Sequence, residues 1–397
     1  MGQVSKREPQ LISLLRAASE SRRDLPLAAF DEAQIRWAVE TGLGPLLFQT
    51  TKDDPEAAKS PLWPLLKGAD LTVRTLTGDQ LDAMSEIIDA CEGRVPPLTL
   101  LKGISICDQH YPEPHLRLMR DMDFLVEDAD LEAVEAILLK LGYRQQSEGP
   151  AEFYETHHHS MPFFHPQRGV WVEVHRGLFP PKSKLGDDKV FRLENLKTRC
   201  RHSEFYGRKV ARLSNELQIV YIASHWAQNF QAIGGTIAML DVIYLWKNTK
   251  DRLDWNEIFD WLSGSVASTY LYLLLSYLDK YRLIDISPEI LNGLFVRQRS
   301  FGKINLNILH SLIDNYLANG KDFGKVLSLR NCFLLWETLV SPRSPLINLL
   351  LVPWKLILPH RLRKRFQSYE TKPILELMRL GCRWSLSRTG SVLKYSR

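Results

Sequence analysis

Residues 121–126 are Asp-Met-Asp-Phe-Leu-Val, and the stretch Leu-Leu-Lys-Gly precedes them at residues 100–103. The apolar end of the later stretch indicates a β-strand, in which side chains point alternately to the two faces. Asp121 and Asp123 are therefore expected on one face and Met122 on the other. The sequence thus predicts two neighbouring carboxylates beside a Lys-Gly turn.

The same region supplies cationic groups and a close backbone turn. Lys102 and Gly103 predict a turn of phosphate size, and Arg117 lies between the two stretches in the sequence. Two aligned carboxylates, such a turn and an arginine are what metal-assisted phosphoryl or nucleotidyl transfer requires. Alternatively, the two carboxylates are solvated caps of a turn, and Arg117 pairs structurally with Asp121 or Asp123.

A further strand is expected at residues 170–175, where apolar and other residues alternate. Its three valines occupy one face and predict a core position. Glu173 and His175 then share the opposite face, which is available to chemistry. Other strands are expected at residues 98–101, 122–126 and 153–164, and helices at residues 9–21, 66–91, 104–110 and 131–141, with a largely helical chain after residue 214. These elements divide into an N-terminal helical region (1–95), an α/β core (96–212), a C-terminal helical domain (213–340) and a basic, partly apolar tail (341–397).

Composition sets limits on the class of protein. The chain has 397 residues, of which 45% are hydrophobic, and this is enough to bury a sizeable core in two or three domains. Its five cysteines form no CxxC pair, which indicates free thiols and argues against structural zinc. The first residues contain several arginines and no long apolar run, so we expect no signal peptide and a cytoplasmic location.

The positive charge is concentrated in the tail. Residues 340–397 contain twelve Lys or Arg and two Glu, whereas the whole chain has a net charge of only +5. The apolar segment at residues 346–358 is shorter than the roughly 20 residues needed to span a bilayer. Three interpretations remain open: a solvated end, peripheral contact with the inner membrane through residues 345–365, or RNA binding, for which no strong nucleic-acid-binding motif is present.

The histidines at residues 157–159 suggest a metal tract, but the expected strand argues against it. Consecutive residues on a strand point to opposite faces, so three of them do not easily bind one ion. His159 and His175 are instead candidates for lining a cleft. His225 and Asp241, on later helices, are candidates for closing it, with a structural role as the alternative.

Residues 85–260 resemble the uncharacterised nucleotidyltransferase family, whose core is similar to that of DNA polymerase β. The matching pieces are Leu101-Lys102-Gly103, Tyr111-Pro112, Arg117, Asp121-Met122-Asp123, Leu141-Gly142-Tyr143 and Val172-Glu173-Val174-His175, with looser similarity at Leu217 to His225, Asp241 and Trp255. The resemblance implies an α+β fold, a small mixed sheet with helices, in a bacterial protein. Many families with this core have Gly-Ser in the phosphate turn, and here the turn is Lys102-Gly103.

The resemblance also implies roles for particular residues. Asp121, Asp123 and Glu173 would bind Mg²⁺ or Mn²⁺, and Glu173 would also polarise the attacking hydroxyl. Lys102 and Gly103 would hold the triphosphate, and Arg117 would stabilise charge on the departing pyrophosphate. The implied activity moves an NMP from an NTP to an acceptor on a small molecule, a tRNA or a protein. The alternative is a non-catalytic protein that keeps the fold and binds a nucleotide or a partner.

Overall fold

The computed structural model describes residues 10–146, 154–181, 183–228, 235–298, 301–319, 335–336, 339–340 and 344–357. Seven strands lie in this part of the chain: β1 (Thr99–Leu101), β2 (Met122–Leu125), β3 (Arg144–Gln145), β4 (Phe163–His165), β5 (Val170–His175), β6 (Cys200–Phe205) and β7 (Arg208–Leu213). The helices of its N-terminal half are α1 (Gln10–Glu20), α2 (Glu32–Glu40), α3 (Gly44–Thr51), α4 (Trp63–Cys91), α5 (Lys102–His110), α6 (Leu131–Lys140) and α7 (Leu193–Arg199). Those that follow are α8 (Asn215–Gln228), α9 (Thr236–Thr249), α10 (Trp255–Leu262), α11 (Ala267–Lys280), α12 (Pro288–Arg297), α13 (Lys303–Asn319) and α14 (Pro345–Ile357).

The seven strands form one mixed sheet in the order β3-β4-β5-β2-β1-β7-β6. Strand β2 lies at its centre, antiparallel to β1 and parallel to β5. In this register Asp123 lies opposite Leu101 on one side and opposite Glu173 on the other. The pairing therefore brings the end of β1, the Asp-x-Asp stretch and the Glu-x-His strand next to one another.

Alternation along the strands separates a packed face from the face that carries the carboxylates. Leu100, Met122 and Phe124 belong to a buried cluster that also contains residues of α4 and α6. Leu101 and Leu125 point the other way, into a second cluster formed mainly by helices. Because side chains alternate, Asp123 lies on the same face as Leu125. The side chain of Asp123 on β2 therefore points towards the helices.

The cluster of helices joins distant parts of the chain. It contains apolar residues of α1, α2 and α3 together with residues of α8, α9, α11 and α13. Trp226 and Trp246 belong to this cluster and are 0% and 5% exposed. The division of the chain at residues 95, 212 and 340 stays a prediction.

The strand expected at residues 153–164 is wrong for most of its length. Within the described residues of that range, β4 begins only at Phe163, and residues 156–158 form a turn. His159 makes an isolated antiparallel bridge with His175. The backbone here follows the end of β5 instead of running as an extended strand of its own, so the argument from strand alternation does not apply to the three histidines.

Helix α14 presents three leucines to solvent. Leu346, Leu349 and Leu350 are 71%, 41% and 66% exposed, at a spacing that places them on one helical face. No helix in the described part of the chain is both long and apolar enough to cross a membrane. Residues 358–397, which hold most of the basic tail, lie outside the described residues. The predicted membrane contact through residues 345–365 therefore stays a prediction.

Candidate active site

Asp123 is the centre of the site and is only 2% exposed. The Nζ of Lys102 donates a hydrogen bond of 2.7 Å to its Oδ1, and Nε2 of His175 lies 2.7 Å from the same oxygen. Burial favours the neutral acid, but the Lys102 ammonium and the His175 imidazole outweigh it and hold the pKa of Asp123 well below its usual range. Asp123 is therefore a buried, charged carboxylate.

His175 is the second buried ionisable group. Burial and the Lys102 ammonium act to lower its pKa, but hydrogen bonding to Asp123 and Glu173, together with the negative charge of Asp123, outweighs them, so the pKa of His175 is raised. Its Nε2 lies 3.5 Å from Oε2 of Glu173, and its Nδ1 lies 3.3 Å from the carbonyl of Gly177. Both ring nitrogens thus face acceptors, which favours the doubly protonated ring.

Asp121 immediately precedes β2 and differs sharply from Asp123 in its electrostatics. Burial, and then the negative charge of Asp123, raise the pKa of Asp121 to about 7. Lys102 acts in the opposite direction but does not compensate fully. Two carboxylates held this close disfavour full ionisation of both. The site therefore has more negative groups than its own cations can balance.

Glu173 supplies the third carboxylate, across the strand pair from Asp123. Burial acts to raise its pKa, but the hydrogen bond with His175 and the charges of His159 and Lys102 together outweigh it, so the pKa of Glu173 is lowered. One ligand atom each from Asp123, Glu173 and His175 lies within 4.8 Å of the others. The two carboxylates of this set offer the oxygen ligands that suit a hard divalent ion such as Mg²⁺ or Mn²⁺, and the protonated His175 positions them by hydrogen bonding.

Lys102 has an unusual backbone conformation. Its φ is +46°, in the left-handed region, which costs on the order of 1–3 kcal/mol for a residue other than glycine. The position lies between the end of β1 and the first turn of α5, and its side chain is 20% exposed. The buried ion pair with Asp123 accompanies this strained conformation, as is common at functional sites.

Gly103 makes room for an arginine. A Cβ built on Gly103 would lie 2.2 Å from Nη1 and 2.8 Å from Cζ of Arg117. These distances are far below van der Waals contact, so any other residue would displace the guanidinium. The space above this glycine is therefore occupied by Arg117.

Arg117 pairs with Asp241 of α9. Its Nε and Nη2 donate hydrogen bonds of 3.1 and 3.0 Å to the two carboxylate oxygens, and the hydroxyl of Tyr111 donates a third, of 2.7 Å, to Oδ1. The alternative that Arg117 pairs with Asp121 or Asp123 is wrong. The bidentate pair instead connects the loop before β2 to the helices that cover the sheet.

A cavity of ≈ 320 Å³ lies between the carboxylate strand and the helices. Its lining includes six residues that the sequence singled out, namely Lys102, Arg117, Asp121, Asp123, His225 and Asp241. Glu173 and His175 are not among the lining residues; Glu173 pairs with Asp123 in the sheet, and His175 lies within hydrogen-bond distance of Asp123.

The two other candidate histidines lie in different places. Burial lowers the pKa of His225, which lines the cavity, to about 3, so its ring is neutral. His159 is not a lining residue and lies beside His175, with 5.4 Å between the centroids of the two rings.

Sequence reasoning missed Arg120 and Tyr221, which also line the cavity. The hydroxyl of Tyr221 is buried and has no hydrogen-bond partner among the described residues. For each residue, its position in the sequence could have indicated a place in the site. Arg120 directly precedes Asp121, and Tyr221 lies four residues before His225, on the same face of a helix.

Comparison with known protein families identifies the class of this protein. The family model described as uncharacterised nucleotidyltransferase matches residues 30–281, which is more than half of the chain, and the chain belongs to this family. The resemblance inferred from the sequence is thereby confirmed, as are the α+β class and its polymerase β-like core. The protein is an enzyme that transfers phosphorus-containing groups. No curated protein and no solved structure matches the chain.

Proposed function

We propose that the protein moves an NMP from an NTP to an acceptor hydroxyl in a metal-dependent reaction that releases pyrophosphate. The observation that carries this proposal is the excess of buried carboxylate at one end of the cavity. Asp121 and Asp123 lie there together, and Asp121 keeps a raised pKa despite the neighbouring Lys102. A divalent cation would relieve this repulsion and bring the phosphates of a nucleotide to the same place.

Asp121, Asp123 and Glu173 would hold Mg²⁺ or Mn²⁺, since both ions prefer oxygen ligands. When bound, the ion supplies positive charge that stabilises the developing charge on the phosphates. Lys102 and His175 keep Asp123 ionised and fix its position through their hydrogen bonds. Glu173 lies opposite Asp123 in the sheet, where it would complete the metal ligands and so polarise the attacking hydroxyl, whose proton passes to water.

The cationic residues of the cavity would hold the triphosphate. Arg117 and Arg120 line it together with Lys102. In the reaction, the acceptor oxygen forms a bond to the α-phosphorus while the bond between the α-phosphorus and the oxygen bridging to the β-phosphate breaks. Pyrophosphate takes the electron pair of that bond. The guanidinium of Arg117, held by Asp241, would stabilise this leaving group, with Lys102 and Gly103 at the same turn.

The alternative is a non-catalytic protein that binds a nucleotide or a partner with the same fold. Such a protein has no need for three carboxylates that repel one another, and their retention favours the enzyme. The cavity supports both functions, so an assay must separate turnover from binding.

The test is a transfer assay with each NTP labelled at the α-phosphate, in Mg²⁺ or Mn²⁺, with pools of small hydroxylated metabolites, tRNA and protein. Asp121→Asn/Asp123→Asn should abolish transfer of label. The matched control is Asp128→Asn/Asp130→Asn, a second Asp-x-Asp pair that lies outside the cavity lining. Nucleotide binding without transfer in every pool would favour the binding protein, and a lack of metal-dependent binding would refute both.

A further inference from the structure

The backbone between residues 154 and 160 is bound tightly to the end of β5. The amides of Arg176 and Gly177 donate to the carbonyl of His158 at 2.9 and 3.1 Å. The side chain of Arg176 donates to the carbonyls of Tyr154, Glu155 and His157. One arginine thus binds three carbonyls of a single short segment, and the positions of the histidines follow from this arrangement.

This backbone brings His157, His158 and His159 together, contrary to the expectation from strand alternation. The ring centroid of His157 lies 4.2 Å from that of His158 and 4.3 Å from that of His159, and the centroids of His158 and His159 are 4.8 Å apart. Each ring offers one nitrogen, and these three nitrogens lie within 4.8 Å of one another. All three side chains are half-buried.

The hydrogen bonds of the cluster leave ring nitrogens available to a metal. Nδ1 of His159 lies 2.7 Å from the carbonyl of Ser160 and donates to it, which leaves the lone pair on Nε2. Metal-binding histidines commonly bind a backbone carbonyl in this way through their other nitrogen. Nδ1 of His158 is buried and has no hydrogen-bond partner among the described residues.

We propose that His157, His158 and His159 form a second metal site, which takes a transition ion of the Zn²⁺ type. Three imidazoles suit Zn²⁺, Co²⁺ or Ni²⁺, whereas Mg²⁺ prefers oxygen ligands. Three protein ligands leave a coordination position for water or a substrate group. The site shares no ligand with the carboxylates and does not depend on the proposed transfer reaction.

His175 connects the two sites. Its ring lies 5.3 and 5.4 Å from the rings of His158 and His159, and its Nε2 contacts Asp123. The second ion is therefore adjacent to the carboxylate site without belonging to it.

The test is titration of the metal-stripped, full-length protein with Co²⁺, followed by the visible absorption of the ion. Excess Mg²⁺ is present throughout to occupy the carboxylates. We expect one Co²⁺ per chain, displaced by Zn²⁺. His158→Asn and His159→Asn should each weaken binding by more than about tenfold. His202→Asn, which removes an exposed histidine of β6, should not change it.

Asp121→Asn/Asp123→Asn separates the two sites and should also leave Co²⁺ binding unchanged. The proposal is overturned if Co²⁺ does not bind, if binding survives in His158→Asn and His159→Asn, or if only the aspartate variant loses it. Circular dichroism shows whether each variant folds. If His158→Asn does not fold, Co²⁺ binding by His159→Asn decides the result.

Discussion

Lys102 and Asp123 form a buried ion pair, in which Nζ of Lys102 lies 2.7 Å from Oδ1 of Asp123. The ammonium group of Lys102 thus directly contacts Asp123, a carboxylate that we propose as a metal ligand. Nε2 of His175 contacts the same oxygen, so Oδ2 is the atom of Asp123 that these two contacts do not use. The protein balances part of the charge of its acidic site with its own residues.

Replacing Lys102 should make the protein more dependent on Mg²⁺. Lys102→Met removes one partner of a buried pair and should cost about 3 kcal/mol of unfolding free energy. A divalent cation would then replace the missing positive charge. We expect Mg²⁺ to raise the Tm of this variant by more than it raises the Tm of the wild type. Lys140→Met, an exposed site, serves as the control, and equal Mg²⁺ shifts in both variants and the wild type would contradict the account.

Gly103 should not tolerate a methyl group. In Gly103→Ala the new Cβ would overlap Arg117, so the guanidinium must move away from its place and strain its pair with Asp241. Overpacking of this kind costs about 1–3 kcal/mol, and activity should fall as well. Chemical denaturation measures the loss.

Gly78→Ala is the matched control for that variant. Gly78 lies in α4 with no atom near its added Cβ, so alanine should stabilise the helix by up to about 1 kcal/mol. If Gly103→Ala proves as stable as Gly78→Ala, the close approach of Arg117 is wrong.

The pair of Arg117 and Asp241 should show strong coupling. Asp241→Asn leaves a buried guanidinium without its charged partner and should cost about 3–5 kcal/mol. The double variant Arg117→Met/Asp241→Asn removes both charges and should lose less than the sum of the single variants. Urea unfolding of the four proteins gives the coupling energy, and additive losses would show that the pair contributes nothing.

Acid should destabilise the protein partly through His310. Burial lowers the pKa of this histidine to about 4 from its ordinary 6.5. Between these values the unfolded chain binds a proton that the folded chain does not, so stability is complete above pH 6.5 and falls as the pH falls towards 4. The contribution approaches about 1.4 kcal/mol per pH unit.

The variant His310→Gln isolates this effect. Its unfolding free energy should fall less than that of the wild type between about pH 7 and about pH 5. Equal pH slopes in the two proteins would show that His310 is not buried in its neutral form.

The leucine face of α14 gives a test of the membrane prediction. Leu346→Glu/Leu350→Glu should reduce sedimentation of the protein with vesicles that contain anionic lipid, because it removes the apolar face and adds negative charge. Val296→Glu changes an equally exposed apolar residue of α12 and should leave sedimentation unchanged. Identical sedimentation of all three proteins would exclude this face as the contact.

Local patterns in the sequence predicted those features that depend on short spacing. The alternation in β5 correctly separated its valines from Glu173 and His175. A capping box of the same short range begins α2: the side chain of Asp31 accepts a hydrogen bond from the amide of Gln34, whose side chain accepts one from the amide of Asp31. Periods of two and of 3.6 residues are readable without knowledge of the tertiary contacts.

Other features depend on contacts between distant residues and were not predictable in this way. Arg117 pairs with Asp241, which is 124 residues further along the chain. The three histidines follow the end of β5 because Arg176 binds their backbone, and the sequence alone suggested an extended strand. A side chain that binds carbonyls leaves no periodic signal.

The most direct test of nucleotidyl transfer is to follow which phosphate of the NTP reaches the acceptor. The purified protein is incubated with Mg²⁺ or Mn²⁺ and an NTP that carries the label either on the α-phosphate or on the γ-phosphate. We predict that the α-label enters the acceptor and the γ-label leaves as pyrophosphate, in the wild type and in Asp128→Asn/Asp130→Asn but not in Asp121→Asn/Asp123→Asn. Transfer of the γ-label to the acceptor, or transfer of the α-label that survives in Asp121→Asn/Asp123→Asn, would contradict nucleotidyl transfer at this site.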